Sequence, residues 1–361
     1  MKHLFIIFLI LAPQARAQPL HFKKIESVPD ASFRGLSVVD DSIAWVSGSK
    51  GWVGKSTNGG KNWIFNKVPG YEKCDFRSLY AFNAGTAIIA NAGIPAVILR
   101  TNDGGNTWTL VYKNEDTAAF FDGVDFWDNK EGIIYGDPLK RKMMILMTHN
   151  AGQTWQELPE SKRPVLAEGE ASFAASGTCI RCLKNGKAII ATGGRVSRLL
   201  VSDNRGMDWI PIKTPILQGQ STSGIFSCAF WDDTTGVIVG GDYKKDTLRK
   251  DHVFYTKNGG KTWMAPASPT GGYRECVAYL SADMLIATGP GGADFSNDGG
   301  INWQPLVDEK AFHVVSKNRR GNVVIVAADA ETGFHVVRKS RWGNLVIMAG
   351  SGKIYMGEFI Q

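Results

Sequence analysis

Long apolar runs are almost absent from this sequence. The one that stands out, Leu4 to Ala12, follows a basic Lys2-His3 start and precedes Ala15-Arg16-Ala17, a small-x-small cleavage signature. It is shorter than the roughly 20 residues a membrane-spanning helix needs, so it reads as a secretory leader. Residues 1–17 are therefore expected to be removed after Ala17, leaving a mature chain, residues 18–361, that is periplasmic or secreted and has no membrane span. No cysteine follows the expected cleavage point, which argues against a lipid anchor there.

Sustained helical periodicity is also missing. No stretch keeps apolar residues at a 3.6-residue spacing long enough for a major helix, which excludes bundles and alternating α/β folds. A Gly-rich nucleotide loop in a strand-to-helix setting is absent, as is any haem motif, so no cofactor is expected. Cysteine is scarce. The five are Cys74, Cys179, Cys182, Cys228 and Cys276, an odd number that leaves at least one thiol outside intramolecular pairing. Cys179 and Cys182 have the spacing of a metal or redox pair. They lie in the strand-like "SGTCIRCLKNG", where residues three apart face opposite sides of a sheet, and no second pair or His cluster accompanies them. No metal site is expected.

Charge of either sign is not in large excess. Without Lys2 and Arg16 the chain carries 39 basic and 34 acidic residues, a net charge of +5. Nucleic-acid binders concentrate basic charge on one face, and this mild surplus does not suggest such a partner.

Against these absences stands a repeat. "STNGGKNW" at Ser56–Trp63 returns as "TNDGGNTW", "THNAGQTW", "SDNRGMDW", "TKNGGKTW" and "SNDGGINW". The tryptophans are Trp63, Trp108, Trp155, Trp209, Trp263 and Trp303, spaced by 45, 47, 54, 54 and 40 residues. Periods of about 40–50 belong to propeller blades. Between the octapeptides lie short runs rich in Val, Ile and aromatics, bounded by Gly, Asn and Asp, as in "FRGLSVV", "SIAWVSG", "GWVGKST" and "WIFNKV". Each octapeptide falls between the third and fourth strands of a blade. Its third residue, Asn58, Asp103, Asn150, Asn204, Asn258 or Asp298, can accept backbone N–H groups and close the turn. Its glycines supply positive φ, and its tryptophan wedges an apolar surface between strands.

The pattern [ST]-x-[DN]-x-G-x-x-W resembles the Asp-box, or BNR repeat, of sialidases and related propellers, where it lies away from the active face. The resemblance implies a scaffold role for all six copies. Six marked blades and a seventh built from "GNLVIMAGSGKIYMGEF" make the expected fold an all-β seven-bladed propeller. "LHFKKIES" from the N-terminal side would supply the missing outer strand and remove exposed sheet edges. One irregularity precedes the tail: "FHVVSKNRRGNVVIVAA" (Phe312–Ala328) is nearly repeated by "FHVVRKSRWGNLVIMAG" (Phe334–Gly350), 22 residues later. That offset is half a blade, so only one copy is needed to build the seventh.

Longer segments resemble a more specific family. "SFRGLSVVDDSIAWVSGSKG", "AFFDGVDFWDNKEGIIYGDP", "GEASFAASGT", "GIFSCAFWDDTTGVIVGGDYKKD" and "GGYRECVAY" are similar to exported bacterial relatives of the photosystem II stability and assembly factor. That resemblance implies a seven-bladed propeller that acts without catalysis, binding or assembling a protein client. Such a client could be acidic or membrane-associated, and the protein itself is expected to be a monomer.

The loops opposite the octapeptides are the chemically varied ones. The second-to-third turns carry Lys140, Arg141, Lys142, Arg195, Arg198, Asp242, Tyr243, Lys244, Lys245, Arg249 and Lys250. The segments leading into the blades add Arg34, Asp75, Arg77, Asp122, Glu170, Tyr273 and Arg274. The lysines read as solvated loop residues. Arg34, Arg77, Arg195 and Arg274 read as a convergent rim, since arginine forks suit carboxylates. The alternative is a glycoside hydrolase of the sialidase type, with Arg34, Arg77 and Arg274 on a substrate carboxylate, Tyr273 activated by Glu170, and Asp75 as acid/base. "FRGL" lacks the proline and isoleucine of the sialidase "F/Y-R-I-P" start. A second glycosidase arrangement would draw two facing carboxylates from Asp75, Asp122, Glu168, Glu170 and Asp242. Three converging arginines with a Tyr–Glu hydrogen bond would favour the hydrolase.

Overall fold

The computed structural model describes residues 29–305 in full, and beyond them the backbone of residues 306–307 and of the strands Leu20–Ile25, Val314–Lys317, Val324–Ala327, Leu345–Gly350 and Lys353–Phe359. The expected leader lies outside the described residues, as does the part of the duplicated segment between those strands.

Six antiparallel blades follow one another along residues 33–307. Blade 1 is Phe33–Val38, Ala44–Gly48, Trp52–Ser56 and Ile64–Lys67. Blade 2 is Ser78–Ala81, Ala87–Ala90, Ala96–Thr101 and Thr109–Asn114. Blade 3 is Phe121–Phe126, Gly132–Leu139, Lys142–Thr148 and Gln156–Glu157. Blade 4 is Ile180–Cys182, Ala188–Ala191, Arg198–Ser202 and Ile210–Lys213. Blade 5 is Ser223–Phe230, Gly236–Asp242 and Val253–Thr256, its fourth position reduced to a bridge between Tyr255 and Met264. Blade 6 is Cys276–Tyr279, Leu285–Gly289, Gly292–Ser296 and Gln304–Val307.

Within a blade, burial falls from the centre outward. Ala87–Ala90 and Ala96–Ile98 are fully buried, while the fourth strand of blade 1 is mostly exposed, with Ile64 at 67 %. Inner strands pressed between neighbouring blades on both faces read as continuous apolar runs, whereas the outer strand meets solvent.

The count of blades corrects the sequence expectation: the propeller has six, not seven. The tail instead joins a five-stranded sheet of another build, ordered Leu20–Ile25, Lys353–Phe359, Leu345–Gly350, Val324–Ala327, Val314–Lys317. The N-terminal segment does pair antiparallel with the tail strand, Leu20 opposite Phe359. However, Val324–Ala327 and Leu345–Gly350 run parallel, Val324 opposite Val346 and Ala327 opposite Ala349. Each residue thus faces its counterpart 22 positions on, the offset of the duplication. A parallel pair needs a connection of a dozen or more residues, which the stretch between Ala327 and Leu345 is long enough to supply, whereas a blade joined by tight hairpins needs every neighbour reversed.

The octapeptides form one turn six times. In blade 2 the Thr101 hydroxyl accepts the Gly105 N–H at 3.0 Å, and the Asp103 carboxylate accepts the Thr107 N–H at 2.9 Å. Bonds from the Thr107 hydroxyl and N–H hold the Asp103 carboxyl down at about 2. The same pair recurs from Ser56 with Asn58 to Ser296 with Asp298. The fourth residue is always left-handed, even as Ala151 (φ 60°) and Arg205 (φ 55°). The fifth is always glycine, φ +73° to +93°. Besides its φ, it lies against the preceding blade: a Cβ on Gly152 would stand 2.1 Å from Ile88 Cδ1, and one on Gly105 3.2 Å from the Trp45 ring. Trp108 meets Trp45 edge-on at 6.5 Å. From blade 2 to blade 6 the repeat therefore packs each blade against the one before it.

Candidate functional site

First strands of consecutive blades lie side by side around the centre. At the end away from the octapeptides, the segments leading into those strands surround a cleft of about 500 Å³. It draws Arg34 from blade 1, Arg77 from the lead-in to blade 2, Phe120 and Asp122 from blade 3, and Asp137 from the end of that blade's second strand. Ser172–Ala175 come from the lead-in to blade 4, Phe226 and Tyr243 from blade 5, and Tyr273, Glu275 and Pro290 from blade 6.

Of the residues singled out from sequence, Arg34, Arg77, Asp122, Tyr243 and Tyr273 meet here. Arg34 reaches across the centre. Its Nη1 donates to the Ala175 carbonyl at 3.0 Å and lies 3.5 Å from Glu275 Oε2. Arg77 donates through Nε to Asp75 Oδ2 at 2.6 Å, so Asp75 acts as that arginine's partner rather than as part of the cleft wall.

The remaining residues serve other ends. Arg274 is 2 % exposed. Its Nε bonds Asp294 at 2.6 Å and its Nη1 the Tyr273 carbonyl at 2.8 Å, so it staples the lead-in to the third strand of blade 6. Arg198 forks onto Glu170, whose side chain is wholly covered and also accepts the Thr192 hydroxyl and the Ala167 N–H. Asp242 is buried and accepts the Lys244 N–H within its own turn. Arg195 is exposed, 3.9 Å from Glu168, and Lys244, Lys245, Arg249 and Lys250 stand in solvent.

Sequence reasoning passed over Glu275, Asp137 and the two phenylalanines of the aromatic floor. Phe173 and Phe226 stack at 3.9 Å with 6° between their planes, and Tyr243 and Tyr273 each meet Phe226 edge-on. Glu275 was legible, since "YRE" places it two residues beyond Tyr273, on the same side of an extended chain. Nothing local marks Asp137 or Phe173, which reach the cleft only because blades 3 and 4 close around it.

The electrostatics are those of groups held away from water. Burial, then the Glu275 charge and hydrogen bond, push Tyr273 well above the usual phenol range. Burial, then Asp137, push the Asp122 carboxyl well above the usual aspartate range, with Arg77 opposing; Asp137 is raised by burial. Among the described residues, neither oxygen of Asp122 has a hydrogen-bond partner, and no group of three or more His, Cys, Asp or Glu side chains forms a metal cluster.

Residues 92–169 match the family described as photosynthesis system II assembly factor YCF48. The structure resembles that of YCF48 bound to D1 peptide, with a TM-score of 0.64 and 15 % identity over 96 % of this chain and all of that one. It also resembles YCF48 from Cyanidioschyzon merolae, with a TM-score of 0.62 and 17 % identity over 93 % of this chain and 98 % of that one. A GH74 xyloglucanase from Xanthomonas campestris is more distant, at 0.54 and 14 %; 91 % of this chain aligns with 53 % of the enzyme. No curated protein matches. At such identities the structural likeness shows the fold alone, and the match over residues 92–169 supplies the resemblance to the assembly-factor family.

Proposed function

We propose that this YCF48-like β-propeller is a non-catalytic binding and assembly module whose protein client docks in the cleft at the centre of the blades. The observation that carries the reading is convergence. Six blades or their lead-ins send different side chains to one cleft, whereas the opposite face repeats one hydrogen-bonded turn. A stacked aromatic floor with charged walls suits an extended peptide, which offers apolar side chains and polar backbone together. The D1 peptide bound to the similar YCF48 supports a protein partner. With the leader expected over residues 1–17, the client would be an envelope or periplasmic protein.

The hydrolase reading keeps one supporting feature, the Tyr273–Glu275 hydrogen bond beside Arg34. The three-arginine criterion set from the sequence is not met, because Arg274 is turned away onto Asp294. Photo-crosslinking separates the readings. A crosslinker at Phe173 should capture a protein from envelope extracts, and one at Lys61 on the octapeptide face should not. Equal capture at both positions would remove the cleft assignment. Release of a fluorescent aglycone from a sialoside, abolished in Glu275→Gln, would restore the hydrolase.

A further inference from the structure

The cleft holds two guanidinium groups, and both are engaged. Arg77 is bonded to Asp75, and Arg34 spans the Ala175 carbonyl and Glu275. Two carboxyl groups on the wall are left without a cation of their own. Asp122 is fully covered with both oxygens unpartnered, and Asp137 receives the Ser172 N–H at 3.2 Å. An unpaired carboxyl in such a place keeps its proton rather than bear an uncompensated charge.

We infer that the Asp122–Asp137 wall is a subsite for a cationic side chain of the docked client, a lysine ammonium or an arginine guanidinium. The inference rests on the cleft being the docking site. A cation supplies both things the wall lacks: N–H donors for the unpartnered oxygens and a charge that lets the carboxyls ionise. An anionic group would gain little from the engaged arginines and would meet two further acids. The aromatic floor favours the same sign. Phe173 is half-buried and Tyr243 exposed, and ring faces attract cations. Asp137 is the more accessible member of the pair and meets the ligand first.

Protons are linked to this binding. The groups acting on Asp122 are Asp137 and Arg77, and its charge is felt in turn by Tyr135 and Cys179. Tyr135 and Cys179 are pushed far up by burial and stay neutral. The pair of acids is thus the part that titrates, and a bound cation expels protons from it. Affinity for the cation therefore rises with pH through the pair's titration.

The test uses the folded protein and a fluorescein-labelled heptapeptide with a central lysine between two phenylalanines, alongside versions with glutamate or glutamine at the centre. Fluorescence polarisation should show the lysine peptide bound about tenfold more tightly than the glutamate peptide at pH 7.5. That preference should shrink as pH falls, and it should vanish in Asp122→Asn/Asp137→Asn. If the double variant does not fold, Asp137→Asn alone, at the half-buried position, and the wild-type pH profile carry the same comparison. Glutamate binding as well as or better than lysine, or a lysine preference that survives the substitutions, overturns the subsite while leaving the cleft as a docking site. Failure of all three peptides to bind removes the docking site and the subsite together.

Discussion

The Tyr273 hydroxyl donates to the Glu275 carboxylate over 3.1 Å, two residues apart in the lead-in to blade 6. Both side chains are buried, and Arg34 approaches the same carboxylate from blade 1. The phenol is therefore a fixed donor with its proton held firmly, which is the opposite of an activated nucleophile. Tyr273→Phe should cost about 1 kcal/mol of stability through one lost hydrogen bond, read by denaturant unfolding. Sialoside turnover should be at buffer background in wild type and variant alike.

Arg274 tests the division between rim and scaffold. Removing one member of a buried ion pair leaves the other charge unpaired, so Arg274→Met should destabilise by about 3–5 kcal/mol. Arg195→Met, at an exposed position, should change stability by less than about 1 kcal/mol. Equal melting temperatures for the two variants would show that Arg274 is not the staple described above.

Trp303 is 4 % exposed, and its Nε1 donates to the Gly300 carbonyl at 3.0 Å. Trp303→Ala should cost roughly 3–5 kcal/mol. Trp263 is only partly buried, so its truncation should cost less. The ordering of the two midpoints in urea is the readout.

Ala151 occupies a left-handed position that glycine fills in four of the six turns. A left-handed alanine costs roughly 1–2 kcal/mol, part of which glycine's greater unfolded-state freedom offsets. Ala151→Gly should therefore raise stability by about 0.5–1 kcal/mol, and a lower melting temperature would contradict the strain.

Asp122 keeps its proton in the fold to a higher pH than in the unfolded chain. Its contribution is fully present below the ordinary aspartate pKa, near 4. It is lost as pH rises through the folded value, because the folded state then binds the extra proton. Asp122→Asn does not titrate, so its melting-temperature advantage over wild type should widen from pH 4 upward and then level off. A gap independent of pH would mean that Asp122 titrates normally.

The propeller was legible because its instructions are local. Six octapeptides each carry their own hydroxyl, acceptor, glycine and tryptophan, and those four close a turn wherever the chain places them. The short apolar runs between them specify strands buried on both faces. One face was singled out as chemically varied, because strand alternation alone sorts loops to opposite ends. The number of blades was not legible. The duplicated tail offered two strands of nearly identical sequence, and only pairing in space showed them parallel and in register, outside the antiparallel pattern of a blade.

Residue identity likewise fixed which side chains were available, but not how they were used. Arg34 and Arg274 look equivalent in the sequence, each beside a first strand. Asp294, from the third strand of blade 6, draws Arg274 into the interior, while the Ala175 carbonyl and Glu275 hold Arg34 across the cleft. Asp137 and Phe173 carry no local signal and become part of the site only where blades 3 and 4 meet. Backbone turns depend on neighbours a few residues away, so sequence by itself determines them. Charge pairing and burial depend on groups tens to hundreds of positions distant, so only the tertiary arrangement of the blades decides which arginine is scaffold, which lines the cleft, and which carboxyl is left without a partner.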